Sequence, residues 1–379
     1  MSEKNFIHYV KINLSIFKYV GFAAFSIDKN NQVYITLMDV FCYAASSCIG
    51  IFIIYNSWLQ NDVKVDKNFL IDFGNLISAN VAVVISLISM LLYFIEYKKI
   101  WQLVLFLHKV DEQLISLGLK LNHMLITLFY FSVTVANFIL IMVPLNIAMN
   151  RLNMSMSNIL IYNYSGMYFS LSMGGVLTIS LCFLIRSKNI LDAIKLNFRF
   201  LEDQNSFQVR DNRRETQVMV KLNQIYHDLF KALEKASHVG GLCSLLGYFL
   251  CFVFSIYTGF VCYKALTTSD TQMKQKAIFT VLWFLYLIFF PALITILGEA
   301  VEQNANHMIR LLKFISKRSS KSLESKTLTL MELIKCCPLK FSCYLFDLDL
   351  KQACSLLEAS STYIVFLIQF DIAMGFNMA

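Results

Sequence analysis

The sequence predicts an all-α, polytopic membrane protein with seven transmembrane helices, a cytoplasmic N-terminus and an extracellular C-terminus. Three observations carry this reading. Of the 379 residues, 57% are hydrophobic and only 15% are charged, where soluble domains hold about one quarter charged residues. Seven apolar stretches are long enough to cross a bilayer as helices, roughly 33–57, 72–96, 124–148, 159–185, 241–263, 277–298 and 362–378, and none contains Lys or Arg. Finally, 27 of the 33 Lys and Arg lie in the N-terminal segment and in alternate connections. Long loops obey the positive-inside rule weakly, yet the N-terminal segment and second connection alone outweigh the first and third by 8 to 3.

Each element follows in order. The opening "MSEKNFIHYVKINLSIFKYV" disperses its charges and lacks the compact apolar core of a signal peptide. Its Phe6, Val10, Leu14 and Phe17 recur at helical spacing, as in an amphipathic helix lying against the bundle or the membrane face. The third connection carries or adjoins two glycosylation triplets. Asn153 is the acceptor expected on the outer side, Asn163 lies close to the membrane, and Asn13 falls on the inner side and should be silent.

The inner stretch 186–239 places Val218, Leu222, Ile225, Leu229 and Leu233 on one helical stripe, and Met308, Leu311, Leu312 and Ile315 continue span six in the same way. Such stripes must bury against something, which predicts a helical cytoplasmic region built from extended spans. "SKRSSKSLESK" between them has no apolar period and reads as mobile. The resulting division is 1–298 for the first six spans, 299–361 for a cytoplasmic anchor segment and 362–379 for the last span.

Several function classes lack their signatures. There is no HExxH, no GxSxG elbow and no Gly-rich phosphate loop after a strand. Cys336, Cys337 and Cys343 fit no zinc spacing, and only Cys262 lies near the outer surface, so no disulfide framework is visible. Basic residues are spread over loops rather than gathered for nucleic acid. Neither catalysis nor a cofactor or metal is expected, and the partners are the lipid bilayer and small solutes at the plasma membrane.

The last span holds the informative pattern. At about 100° per residue, Thr362, Phe366, Gln369, Ala373 and Phe376 share one stripe, a wall of hydroxyl, aromatic, amide and small side chains. Such a wall suits a narrow pore, in which an apolar constriction gates by dewetting and the amide meets water or ions. A Gln that hydrogen-bonds a neighbouring helix gives the same pattern.

"TYIVFLIQF" at 362–370 matches TYhhhhhQF, with h apolar, in full, and "CPLKFSCYLFDL" upstream matches Pro-Leu-x-Phe and Phe-x-Leu at Pro338, Leu339, Phe341, Phe346 and Leu348. In these residues, and in seven spans with an internal N-terminus, the chain resembles the insect gustatory receptors. The resemblance implies a gustatory chemoreceptor that is a ligand-gated, non-selective cation channel. Four subunits, as a homotetramer or with related receptors, would surround one pore. Gln369 and Phe370 would form its gate, Thr362 and Tyr363 the inner end, and Phe366 and Ala373 the wall. Extended cytoplasmic helices would anchor the tetramer. Asp371 lies about 200° from Gln369, toward a neighbouring helix if Gln369 faces the pore.

A ligand would bind within the outward halves of spans two to six. Polar and aromatic residues there are Asn75, Asn80, Asn137, Tyr162, Tyr168, Tyr257, Trp283 and Tyr286, which suit a small tastant and equally suit helix packing. Ile364 follows Thr-Tyr where sugar receptors of the family tend to carry Glu. That favours a bitter-type plant compound and leaves a fructose-type sugar or an internal ligand open. A seven-span G-protein-coupled receptor is the alternative, but it needs the opposite orientation and shows neither DRY after span three nor NPxxY in span seven.

Overall fold

The computed structural model describes residues 25–28, 31–60, 69–121, 156–198, 212–343 and 345–376, with isolated positions elsewhere. The expected third span, with Asn137, and the acceptor Asn153 lie outside the described residues.

A two-residue antiparallel pair, β1 (Ser26–Ile27) and β2 (Val33–Tyr34), precedes α1 (Leu37–Gln60). The first span therefore begins at Leu37, not at residue 33. Asp39, expected within that span, sits in its first turn and accepts from Thr36 N (2.8 Å), Thr36 Oγ1 (2.6 Å) and Ser26 Oγ (3.0 Å). Thr36 Oγ1 in turn accepts from Asp39 N at 3.2 Å, a reciprocal capping box, and the bond from Ser26 ties the β pair to the helix.

α2 (Phe69–Ile95) leads through a 67° bend at Glu96 into α3 (Tyr97–Ser116). Sequence reading treated α3 as part of a connection. It buries Ile100, Trp101, Leu103, Val104, Leu107, Val110 and Leu114 and presents its lysines outward, so it is an amphipathic helix beside the bundle, not a span. Trp101 Nε1 donates to Asn31 O at 2.7 Å, which fastens α3 to the β pair.

Three long helices make the core: α4 (Met156–Phe198), α5 (Asn212–Thr267) and α6 (Thr271–Arg318). At 1.5 Å per residue each reaches roughly 60–85 Å, twice the hydrocarbon thickness or more. Within 186–239, residues 186–198 close α4 and 212–239 open α5, and the expected stripe is buried: Leu222, Ile225 and Leu229 are fully enclosed. α6 carries Pro291, whose missing N–H strands the carbonyl of Leu287. The Cys251 thiol reaches that carbonyl at 3.5 Å, so the helix crosses the proline without an orphaned acceptor.

The segment 316–326, read as mobile, instead closes α6 and, past Ser319 and Ser320, opens α7 (Lys321–Cys336). Leu323, Thr327, Leu330, Met331 and Ile334 form its buried face, and only Ser319 and Ser320 break the chain before it. Its polar, Ser/Lys-rich start hid a stripe that becomes regular only from Leu323 onward. Together α3, α7 and the inner ends of α4–α6 form a helical region on the basic side of the bundle.

Phe6 from the N-terminal segment is buried there, its ring 4.6 Å from the guanidinium carbon of Arg186, and Val10 and Leu14 pack against the same core. Arg186 Nη2 donates to Asp111 Oδ2 at 2.5 Å, and Nη1 donates to Cys182 O at 3.0 Å. A buried guanidinium persists only with such partners. The ten cysteines are all free thiols.

Candidate pore helix and ligand pocket

The loop 337–349 sets the start of the last helix. Leu339, Phe341 and Leu348 are buried, Phe341 meets Phe183 edge-on at 5.5 Å, and Phe346 meets Tyr248 at 6.1 Å. Leu348 N donates to Phe341 O and Cys343 N to Phe346 O, which closes the loop on itself. Leu339, Phe341, Phe346 and Leu348 are therefore the pegs that seat this loop against the bundle, while Pro338 is exposed. Gly298 of α6 lets the backbone approach, since a Cβ there would lie 3.2 Å from Leu348 O. Burial holds the Cys343 thiol protonated above its usual range.

From that seat rises α8 (Leu350–Phe376), docked on α5 by a narrow stripe. Tyr363 meets Phe252 edge-on at 5.6 Å, Ile364 lies over Gly259 where a Cβ would collide with it, and Asp371 Oδ1 pairs with Lys264 Nζ at 2.6 Å. Leu367 and Ile368 pack against the core. Asp371 thus faces a neighbouring helix. Thr362, Phe366, Gln369, Phe370 and Ala373 lie off that stripe and are exposed, Phe366 at 61% and Phe370 at 53%.

The proposed ligand residues separate. Tyr162, Trp283 and Tyr286 come together between α4 and α6: Tyr162 lies edge-on to Trp283 at 5.0 Å and to Phe279 at 5.2 Å, and Trp283 lies 5.3 Å from Tyr286. The Tyr286 hydroxyl bonds Ser170 Oγ and donates to Gly166 O at 2.7 Å. Trp283 is 1% exposed, and its Nε1–H has no hydrogen-bond partner among the described residues. Tyr168 lies tilted against Tyr164, with ring centroids 4.5 Å apart. Tyr257 meets Phe254 and closes over Gly74, while the Asn80 amide donates to Leu76 O of its own helix at 2.7 Å. The Asn75 side chain lies outside the described residues. Phe169, Ser170, Phe279 and Phe290 complete the aromatic cluster and were missed. No sequence pattern separates these rings from the other aromatics of α4 and α6, or Ser170 from the other serines of α4.

A family model of 7tm chemosensory receptors matches residues 10–374, nearly the whole chain. The chain belongs to the 7tm chemosensory receptor family. In fold it is similar to the insect olfactory receptor OR5 from Machilis hrabei, with a TM-score of 0.70 and 13% identity over 97% of this chain and all of that one. The same receptor in complex with eugenol gives a TM-score of 0.69 at 13% identity. A comparison with curated proteins finds no match. This is an all-α, seven-span chemosensory membrane receptor, and neither the family nor the fold favours the G-protein-coupled alternative.

Proposed function

We propose that this 7tm chemosensory receptor is a gustatory-type channel of the plasma membrane. Four copies, or copies with related subunits, enclose a pore lined by α8, and a small tastant opens it to cations. The carrying observation is the exposed face of α8. The Thr362 hydroxyl donates to Glu358 O of its own helix at 3.3 Å, but the Gln369 amide, at membrane depth and turned away from its own bundle, requires water, ions or other copies as partners. In this reading Gln369 and Phe370 are the gate, Thr362 and Tyr363 its inner end, and the helical region on the basic side anchors the tetramer.

The ligand reading rests on the aromatic cluster. Edge-to-face rings around a buried indole N–H without a partner among the described residues favour a flat, uncharged compound bearing a hydrogen-bond acceptor. This fits a bitter-type plant aromatic better than a sugar, whose many hydroxyls need several partners. Eugenol, an aromatic ether with acceptor oxygens and the ligand of the similar olfactory receptor, is the natural first probe.

The test is whole-cell current from cells expressing the chain alone, with G-protein signalling blocked, challenged with eugenol, plant alkaloids, glycosides and sugars. An evoked cation current that Trp283→Phe weakens for acceptor-bearing compounds supports the proposal. A current evoked only by sugars overturns the ligand class. A saturable flux without unitary currents overturns the channel.

A further inference from the structure

The observation that stands apart from the pore and the pocket is the ion pair between Lys264 and Asp371. Lys264 lies in the last turn of α5 and Asp371 lies immediately after the Gln-Phe pair of α8, and both side chains are largely buried at 21% and 17% exposure. The α5 end that carries the lysine is fixed by two bonds to the Lys264 carbonyl, from Thr268 N at 3.0 Å and Thr267 Oγ1 at 3.2 Å. The nearby acid of the α5–α6 turn, Asp270, is engaged elsewhere, accepting from Gln272 N at 2.9 Å as the N-cap of α6. The cation of α5 is therefore paired across the seam with the carboxylate of the pore helix.

Position makes this pair consequential. Along α8 the docked contacts run Tyr363, Ile364, Leu367, Ile368 and Asp371, and the ion pair is the outermost of them. A helix pinned at Asp371 has its rotation fixed there. Gln369, about 200° away, is held on the opposite face, and Phe370, about 100° away, is held at its flank. α5 also touches the aromatic cluster's helix, because Thr258 Oγ1 donates to Thr280 O at 3.5 Å, and the next residue, Gly259, lies under Ile364. One rigid helix thus contacts α6 beside the cluster on one side and the outer half of α8 on the other.

We infer that Lys264 and Asp371 are positioning residues for the gate. The pair fixes the rotation and lean of the outer turns of α8 against α5, and so sets the balance between closed and open pore. It also neutralises Asp371, so four copies of this residue do not form a cation-attracting ring at the pore mouth. The inference rests on the channel reading above.

The experiment is a charge swap read without any ligand: basal sodium and potassium conductance in outside-out patches carrying wild type, Lys264→Glu, Asp371→Lys and the double swap. Thermal unfolding of the same four purified proteins in detergent accompanies it. Each single reversal places like charges together and should change basal conductance by about fivefold or more. The double swap should return it to within about twofold of wild type, with the sodium-to-potassium permeability ratio unchanged throughout. Conducting single variants that behave as wild type, or a swap that does not restore, would overturn the gating role alone. A permeability ratio that follows the charge at 371 regardless of 264 would overturn it in favour of a pore-mouth ring. Silence in all four, with unfolding temperatures lowered in the singles and restored in the swap, would leave a structural clamp and overturn the gating role, while the channel reading stands or falls on the evoked currents above.

Discussion

α1 and α8 are both apolar helices that the bundle barely covers. In the most apolar stretch of each, 17% and 6% of the residues are buried, against 56% for α4 and α5. What differs is the uncovered face. On α1 it carries Leu37, Met38, Val40, Phe41, Ile49, Ile51, Phe52 and Tyr55, an aliphatic and aromatic surface that hydrocarbon solvates. On α8 it carries Thr362 and Gln369 among Val365, Phe366, Phe370 and Ile372. Equal exposure therefore does not mean equal surroundings: the first face suits lipid, and the second needs partners that lipid cannot supply.

The largest effect expected from that contrast is on insertion. Phe52→Lys on the lipid face of α1 should cost about 2.5–3.5 kcal/mol and lower surface expression sharply, whereas Gln369→Lys on α8, facing water in the proposed pore, should reach the surface. Equal loss in a cell-surface labelling assay would break the comparison. Next in size are two glycines at close approaches. Gly50 lies under the Tyr164 hydroxyl and Gly259 under Ile364, and valine at either should cost about 1–3 kcal/mol by overpacking. Gly259→Val should also change basal conductance, because it moves α8, while Gly50→Val should leave it alone.

Smaller again is the gate itself. Phe370→Ala should alter basal conductance about tenfold, equivalent to about 1.4 kcal/mol in the gating equilibrium, and Phe52→Ala should not alter it. The smallest effect is chemical. A water-soluble maleimide should label Cys354 on the exposed face of α8 and Cys336 at the end of α7, and should spare Cys48 on α1. Cys343 should react more slowly than an open thiol at pH 8 and catch up only as pH rises, since burial raises its pKa and the thiolate is the reacting form. Mass spectrometry of the labelled peptides reads all four sites.

Much of this was legible in the residues. Apolar length and the placement of Lys and Arg foretold the described spans, the stripe from Val218 to Leu233 foretold the inward extension of α5, and TYhhhhhQF singled out the last helix. Other features were not. α3 was hidden because its lysines resemble those of any inner loop, and α7 because its serine- and lysine-rich start masks Leu323, Leu330 and Ile334. Asp111 and Arg186 lie 75 residues apart and carry no local pattern. The eight proposed ligand residues were chosen by type, and packing gathered three of them into one cluster while sending Tyr168 and Tyr257 to other contacts.

The sequence by itself determined that this chain lives in a membrane, how many times it crosses and which helix is exceptional, because hydropathy, charge and a contiguous motif are local properties. Tertiary structure alone decided which polar groups meet. Trp283 has no acceptor in the cluster, Asp39 is spent on a cap, and Asp371 is matched to Lys264. The physical reason is that a polar group in low dielectric takes its role from whatever lies within about 3 Å of it, and that neighbour comes from a distant part of the chain.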